Sequence, residues 1–99
     1  MNNVTISGRI ADDPRCGNTN QGIPYANFTV AVKRSYSKDT ADFIQCAAFR
    51  HSADYIANYL RKGDAVNITG RLIQDNYVDE QSGKKVHRLK VEISEIEAQ

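Results

Sequence analysis

Apolar residues in this chain recur at every second position through most of its length and at helical spacing only once, which points to a small β-fold. In the first segment Val4, Ile6 and Ile10 share one face, and Thr5, Ser7 and Arg9 take the other. Gly8 falls on the apolar face, where a glycine marks a bend or the close approach of another backbone. Asp12-Asp13-Pro14 ends this strand, and Gly17-Asn18-Thr19-Asn20-Gln21-Gly22 reads as a loop of turn formers. Ala26, Phe28, Val30 and Val32 form the buried face of a second strand, with Asn27, Thr29, Ala31 and Lys33 outward.

A short loop, Ser37-Lys38-Asp39-Thr40, leads into the third strand, where Ile44, Cys46 and Ala48 read as core. Its other face carries Phe43, Gln45, Ala47 and Phe49. A closed apolar core rarely places Gln between two Phe, whereas a partly exposed platform accommodates it. The helical stripe follows, with Ala53, Ile56, Ala57 and Leu60 at i, i+3, i+4 and i+7. Ser52 is the expected N-cap, Asp54 sits in the first turn, and Arg61-Lys62-Gly63 supplies cations and a glycine to the C-terminal end. The fourth strand places Val66, Ile68 and Leu72 inward with Gly70 among them, and Tyr77 shares the parity of outward Arg71. Gln81-Ser82-Gly83-Lys84 reads as a hairpin turn. Leu89, Val91 and Ile93 line one side of the last strand, opposite Arg88 and Lys90.

Five strands with one helix between the third and fourth, in 99 residues, predict a single all-β domain over residues 1–99. An antiparallel sheet of this size hides its edges by closing, and the helix can plug one end. That is the architecture of the five-stranded oligonucleotide/oligosaccharide-binding (OB) barrel. Small SH3-like barrels are the nearest competitor, and the intervening helix favours the former.

Composition narrows the function. The net charge of +1 is uneven: thirteen bases face nine acids up to Lys90, and Glu92, Glu95 and Glu97 follow with no base. No apolar run is long enough for a membrane span, and no signal peptide precedes the first strand, so a cytoplasmic setting is expected. Cys16 and Cys46, thirty residues apart, suit reduced structural thiols better than a metal site, and no cofactor motif is present. His51 and His87 have no Ser or Cys neighbour at a spacing that activates a nucleophile. The chain reads as a binding module and not as an enzyme.

What remains is a set of rings beside bases, on faces opposite the core. Phe43 and Phe49 share a strand, Tyr36 ends the second strand near Lys33, Arg34 and Lys38, and Tyr77 follows Arg71. Such rings stack on splayed bases while cations track phosphates, which is how single-stranded nucleic acid is held. Tyr36 shares parity with the buried residues of its strand, so it needs a bulge or the strand end to turn outward.

The order of Val4 through Gly8-Arg9-Ile10, Asp13-Pro14, Ala26-Asn27-Phe28-Thr29-Val30-Ala31-Val32, Ala41-Asp42-Phe43-Ile44-Gln45-Cys46, Tyr59-Leu60-Arg61-Lys62-Gly63, Gly70-Arg71-Leu72 and Asn76-Tyr77 resembles the bacterial single-stranded DNA-binding protein family over nearly the whole chain. The resemblance implies an OB barrel that forms homotetramers and protects single-stranded DNA without sequence preference in replication, recombination and repair. It implies base stacking by Tyr36, Phe43, Phe49 and Tyr77. Lys33, Arg34, Arg50, Lys62 and Arg71 become the expected phosphate contacts, with Lys84, Lys85 and Arg88 beside them. Many members of the family carry Trp at stacking positions, so the absence of Trp here implies weaker stacking.

Members of the family usually continue through a Gly/Gln/Pro-rich linker to an acidic tail that recruits other enzymes. This sequence stops at Glu95-Ile96-Glu97-Ala98-Gln99 and so gives no support to that recruitment. The expectation is either a DNA-binding domain from a longer protein or a tailless version, for example from a phage or mobile element. The alternative function is a primosome-type accessory barrel that acts chiefly through protein contacts.

Overall fold

The computed structural model describes residues 1–99, with the side chain of Lys38 outside the described residues. Alternating apolar residues produce strands β1 (Val4–Ile10), β2 (Arg15–Asn18), β3 (Pro24–Arg34), β4 (Ser37–Phe49), β5 (Ala65–Val78) and β6 (Lys85–Ala98), with helix α1 (His51–Tyr59) between β4 and β5. The sheet order is β1-β5-β6-β4-β3-β2, and a further β1–β3 pairing closes five of the strands into a barrel. β1 closes it by pairing with β5 from Val4 to Arg9 and turning onto β3 at Arg9 and Ile10. On the other side β4 meets β6 in a short parallel contact, Cys46 opposite Val91 and Ala47 opposite Glu92. The OB-barrel expectation holds, helix included.

Phe28, Ile10, Val30, Ile56, Ile68, Val66 and Val91 are the largest wholly buried apolar side chains, and the α1 stripe of Ala53, Ile56 and Leu60 plugs the barrel end. Gly8 and Gly70 are required by close backbone approach. A Cβ at Gly8 would run into the Ala31 carbonyl oxygen, and one at Gly70 into that of Glu92, beside the bulge between Thr69 and Gly70.

Several expectations need correction. Arg15–Asn18, which overlaps the expected loop at Gly17 and Asn18, is a short edge strand in register with β3 (Arg15 opposite Asn27, Asn18 opposite Pro24), so the helix follows the fourth strand in chain order, which is the third strand of the barrel. Ser37 to Thr40 belongs to β4, because the reversal is the two-residue turn at Ser35-Tyr36. Ser52 does not cap α1. Arg50 occupies that position at φ 61°, with no side-chain cap, and the first helical bond runs from the Asp54 N–H to the Arg50 carbonyl at 3.0 Å. Leu72 and Leu89 keep the inward parity but are exposed, because β5 and β6 continue as a two-stranded arm past the end of the barrel. Ala47, on the outward parity, is buried.

The C-terminal end of α1 also departs from its sequence signals: the helix ends at Tyr59, Leu60 takes the cap position in extended conformation, and no base lies in the last turn, because Arg61, Lys62 and Gly63 all follow the cap. The Arg61 guanidinium donates to the carbonyls of Ala57 (2.9 Å) and Leu60 (2.7 Å), satisfying acceptors at the helix end. Gly63, at φ 94°, turns the chain and donates its N–H to the Ile10 carbonyl at 2.8 Å. Among the described residues no helix is long and apolar enough to cross a membrane.

Candidate nucleic-acid interface

Strand register decides which side chains share a surface. Ala47 opposite Glu92 puts Phe43, Gln45 and Phe49 of β4 on the same side of the sheet as Arg88 and Lys90 of β6. Asp75 opposite Arg88 and Arg71 opposite Glu92 add Arg71, Asp75 and Tyr77 of β5 to that side. Tyr25 opposite Phe49 and Ala31 opposite Phe43 extend it across β3. One face therefore runs from β3 over β4 and out along the arm. Three of the four expected rings lie on it, and the fourth, Tyr36, stands at its end in the β3–β4 turn.

All four rings are exposed: Tyr36 79%, Phe43 67%, Tyr77 43% and Phe49 41%. Tyr36 escapes its inward parity by both routes, since the register shifts between Lys33 and Arg34 and β3 then ends. Arg34 donates to its hydroxyl at 2.9 Å and to Asp42 Oδ1 at 2.8 Å, tying the turn to β4. The hydrogen bonds from Arg34 hold the Asp42 carboxyl below its usual range, and the same bonds raise the Arg34 guanidinium. Gln45, between the two Phe, donates to the Thr29 hydroxyl at 3.1 Å, so its amide belongs to an exposed polar pair on the platform.

The expected bases divide into groups. Arg34, Arg71 and Arg88 each face a carboxylate: Arg34–Asp42 at 2.8 Å, Arg71–Glu92 at 3.1 Å and Arg88–Asp75 at 3.5 Å. Arg88 also lies over the Tyr77 ring. Among the described residues Lys33, Arg50, Lys62, Lys84 and Lys85 form no ion pair. Arg50 adjoins Phe49 at the start of α1, and its N–H donates to the Pro24 carbonyl at 2.9 Å. Lys33 lines a separate groove with Ser7, Gly8, Arg9 and Ala31. Lys62 lies in the turn after α1, its N–H held by Asp13 at 2.9 Å, and so is not part of the strand face. Lys84 and Lys85 sit at the tip of the arm, with Lys85 opposite Val78 and on the other side from Tyr77.

Between the arm and the barrel lies a cleft of about 190 Å³ lined by Arg15, Asn27, Gln45, Asp75, Arg88, Lys90 and neighbouring atoms. Arg15 and Lys90 are bases that sequence reasoning did not nominate. Outward parity marks Lys90, and the same rule applied one step before Asn27 marks Tyr25. Arg15 has no such signal, because its strand is too short to alternate.

Comparison with known proteins agrees with this geometry. A family profile described as "Single-strand binding protein family" matches residues 1–99. The chain is 40% identical over 95 residues to the single-stranded DNA-binding protein of Bacillus cereus, covering 92% of this chain and 55% of that protein. It is 40% identical over 90 residues to single-stranded DNA-binding protein 1 of Staphylococcus aureus (87% and 53%). To single-stranded DNA-binding protein A of Bacillus subtilis it is 35% identical over 101 residues (98% and 58%). The chain thus spans about half the length of the curated relatives it matches. With the profile matched from end to end and an OB barrel beneath it, the chain belongs to the single-strand binding protein family.

Proposed function

We propose that this chain binds single-stranded DNA without sequence preference, stacking bases on Tyr36, Phe43, Phe49 and Tyr77. Bases along the same surface would hold the phosphates: Arg34, Arg50, Arg71 and Arg88, joined by Arg15 and Lys90. Lys33, Lys62, Lys84 and Lys85 are the outlying candidates. The observation that carries this reading is the set of four large rings left on the surface of one face and its adjoining turn, with cations beside them. Large apolar groups held out of the core mark a contact surface, and each stacked base is worth about 1–3 kcal/mol. Since four of these five arginines, Arg15 with Asp12 among them, already face carboxylates, stacking supplies more of the affinity than net charge does. The names of the bacterial relatives support the same ligand. In a cell this activity serves the protection of single strands in the bacterial cytoplasm during replication, recombination and repair.

A homotetramer is part of the proposal. β1 pairs with β5 through Val4–Gly8 but reaches β3 only at Arg9, which leaves backbone donors and acceptors on its other edge for a second copy. Light scattering at micromolar concentration checks this, and a monomer contradicts it. DNA binding is tested by anisotropy with labelled dT oligomers and matched duplexes. Preference for the single strand with affinity falling as salt rises is expected, and equal binding to duplex or indifference to salt overturns the reading.

A further inference from the structure

Asp75 is the one carboxylate, among the described residues, on the lining of the cleft between arm and barrel. It faces two bases, with N–O separations of 3.5 Å to Arg88 and 3.5 Å to Lys90. Arg88 is its direct register partner across the β5–β6 ladder, so the backbone itself holds the two side by side. Both contacts are longer than the roughly 2.7–2.9 Å of a strong charge-assisted hydrogen bond, and all three side chains remain in touch with solvent. Ion pairs of this kind contribute little to holding their members in place. The carboxylate's charge nevertheless offsets those of Arg88 and Lys90 wherever a third charged group enters the cleft.

We infer that Asp75 is an affinity-limiting residue of the DNA face, its carboxylate competing with the phosphodiester for Arg88 and Lys90. This rests on the proposed single-stranded DNA site. A phosphate that takes up the two bases leaves the Asp75 carboxylate unpaired beside it, and the two anions repel. In water, at a separation of about 6 Å, that repulsion corresponds to about threefold in affinity, and release of the two bases raises the difference toward tenfold. Asp75 thus lowers both the strength of binding and its dependence on salt.

Asp75→Asn in the full chain, titrated with a labelled dT oligomer over a range of salt, tests this. The expected result is three- to tenfold tighter binding at low salt, and a log–log salt slope steeper by roughly 0.7 to 1.4, the equivalent of one or two further phosphate contacts on a single strand. Asp75→Ser should reproduce both changes, which separates loss of charge from any new contact of the Asn amide. Equal or weaker binding in both variants, or tighter binding with an unchanged slope, overturns the inference and leaves Asp75 as a positioning residue for the two bases. If the unaltered chain does not bind the oligomer, the DNA reading fails and this inference fails with it. Binding by the unaltered chain with no gain in either variant defeats this inference alone.

Discussion

The Arg88 guanidinium lies 4.6 Å from the centroid of the Tyr77 ring and covers one of its faces. A cation–π contact at an exposed site contributes about 0.5–1 kcal/mol, below the about 1–3 kcal/mol of a stacked base, so a base can replace the guanidinium or stack on the open face. Tyr77→Ala should weaken binding of a dT oligomer roughly 5- to 150-fold with little change in salt slope, and Tyr77→Phe should stay near the unaltered chain. Anisotropy titrations at two salt concentrations check both.

Phe43 projects from β4 with two-thirds of its surface exposed, and the core does not depend on it. Phe43→Ala should leave thermal unfolding within about 0.5 kcal/mol and still lower DNA affinity by about 1–3 kcal/mol. Because the chain has no Trp, Phe43→Trp is expected to tighten binding and to introduce a fluorophore whose emission is quenched as DNA is added. Unquenched emission on binding would place DNA elsewhere.

Gly70→Ala and Gly8→Ala each aim a methyl group at a backbone carbonyl, of Glu92 and of Ala31 respectively. Neither carbonyl belongs to a side chain that can swing aside, so each change should cost at least about 1–3 kcal/mol, read as a lower midpoint in denaturant. Gly22, where φ is 82° but the space is open, is the comparison: Gly22→Ala strains only the turn.

Much of the barrel is legible in the alternation of apolar residues, because the closed sheet has a single inside and parity selects it. Parity fails where the inside ends. Leu72 and Leu89 obey the same rule as Val66 and Val91, yet Leu72 stands at the root of the arm, past the last β1 partner Gly70, and Leu89 on the arm itself, and only the three-dimensional extent of the sheet reveals this. β2 has too few residues to show a period, and its pairing with β3 is a tertiary choice. Ser52 carries the right chemistry for a cap, but β4 runs on to Phe49 and delivers Arg50 to the capping position instead. The four rings of the candidate site were readable from residue type and parity, Tyr36 with the bulge its parity demanded. The pairing of the arginines was not: Arg34–Asp42, Arg71–Glu92 and Arg88–Asp75 join neighbouring strands, and the register that matches them depends on hairpin geometry.

Burial pushes the Cys46 thiol up from 9.0 to about 12, whereas Cys16 is exposed. A thiol-specific disulfide reagent on the native chain should therefore modify one cysteine quickly, and Cys46 only on unfolding. The raised value also sets a pH window. Stability from keeping Cys46 neutral is complete below pH 9.0 and is lost as pH climbs toward 12, because the unfolded chain releases a proton there that the folded chain retains. The loss should approach about 1.4 kcal/mol per pH unit in that window, and Cys46→Ala should remove this share of the pH dependence in denaturant titrations.

β5 and β6 each run for 14 residues, but only their inner portions are clamped by the rest of the barrel. Beyond Leu72 and Val91 they form a cantilever, a two-stranded ribbon that depends on its root, because two strands alone are only marginally stable in water. Tyr77 therefore reaches the candidate DNA face on a lever set at Leu72 and Val91, whereas Phe43 stands on the barrel wall itself. A substitution that loosens that root is thus expected to disturb Tyr77 before it disturbs Phe43.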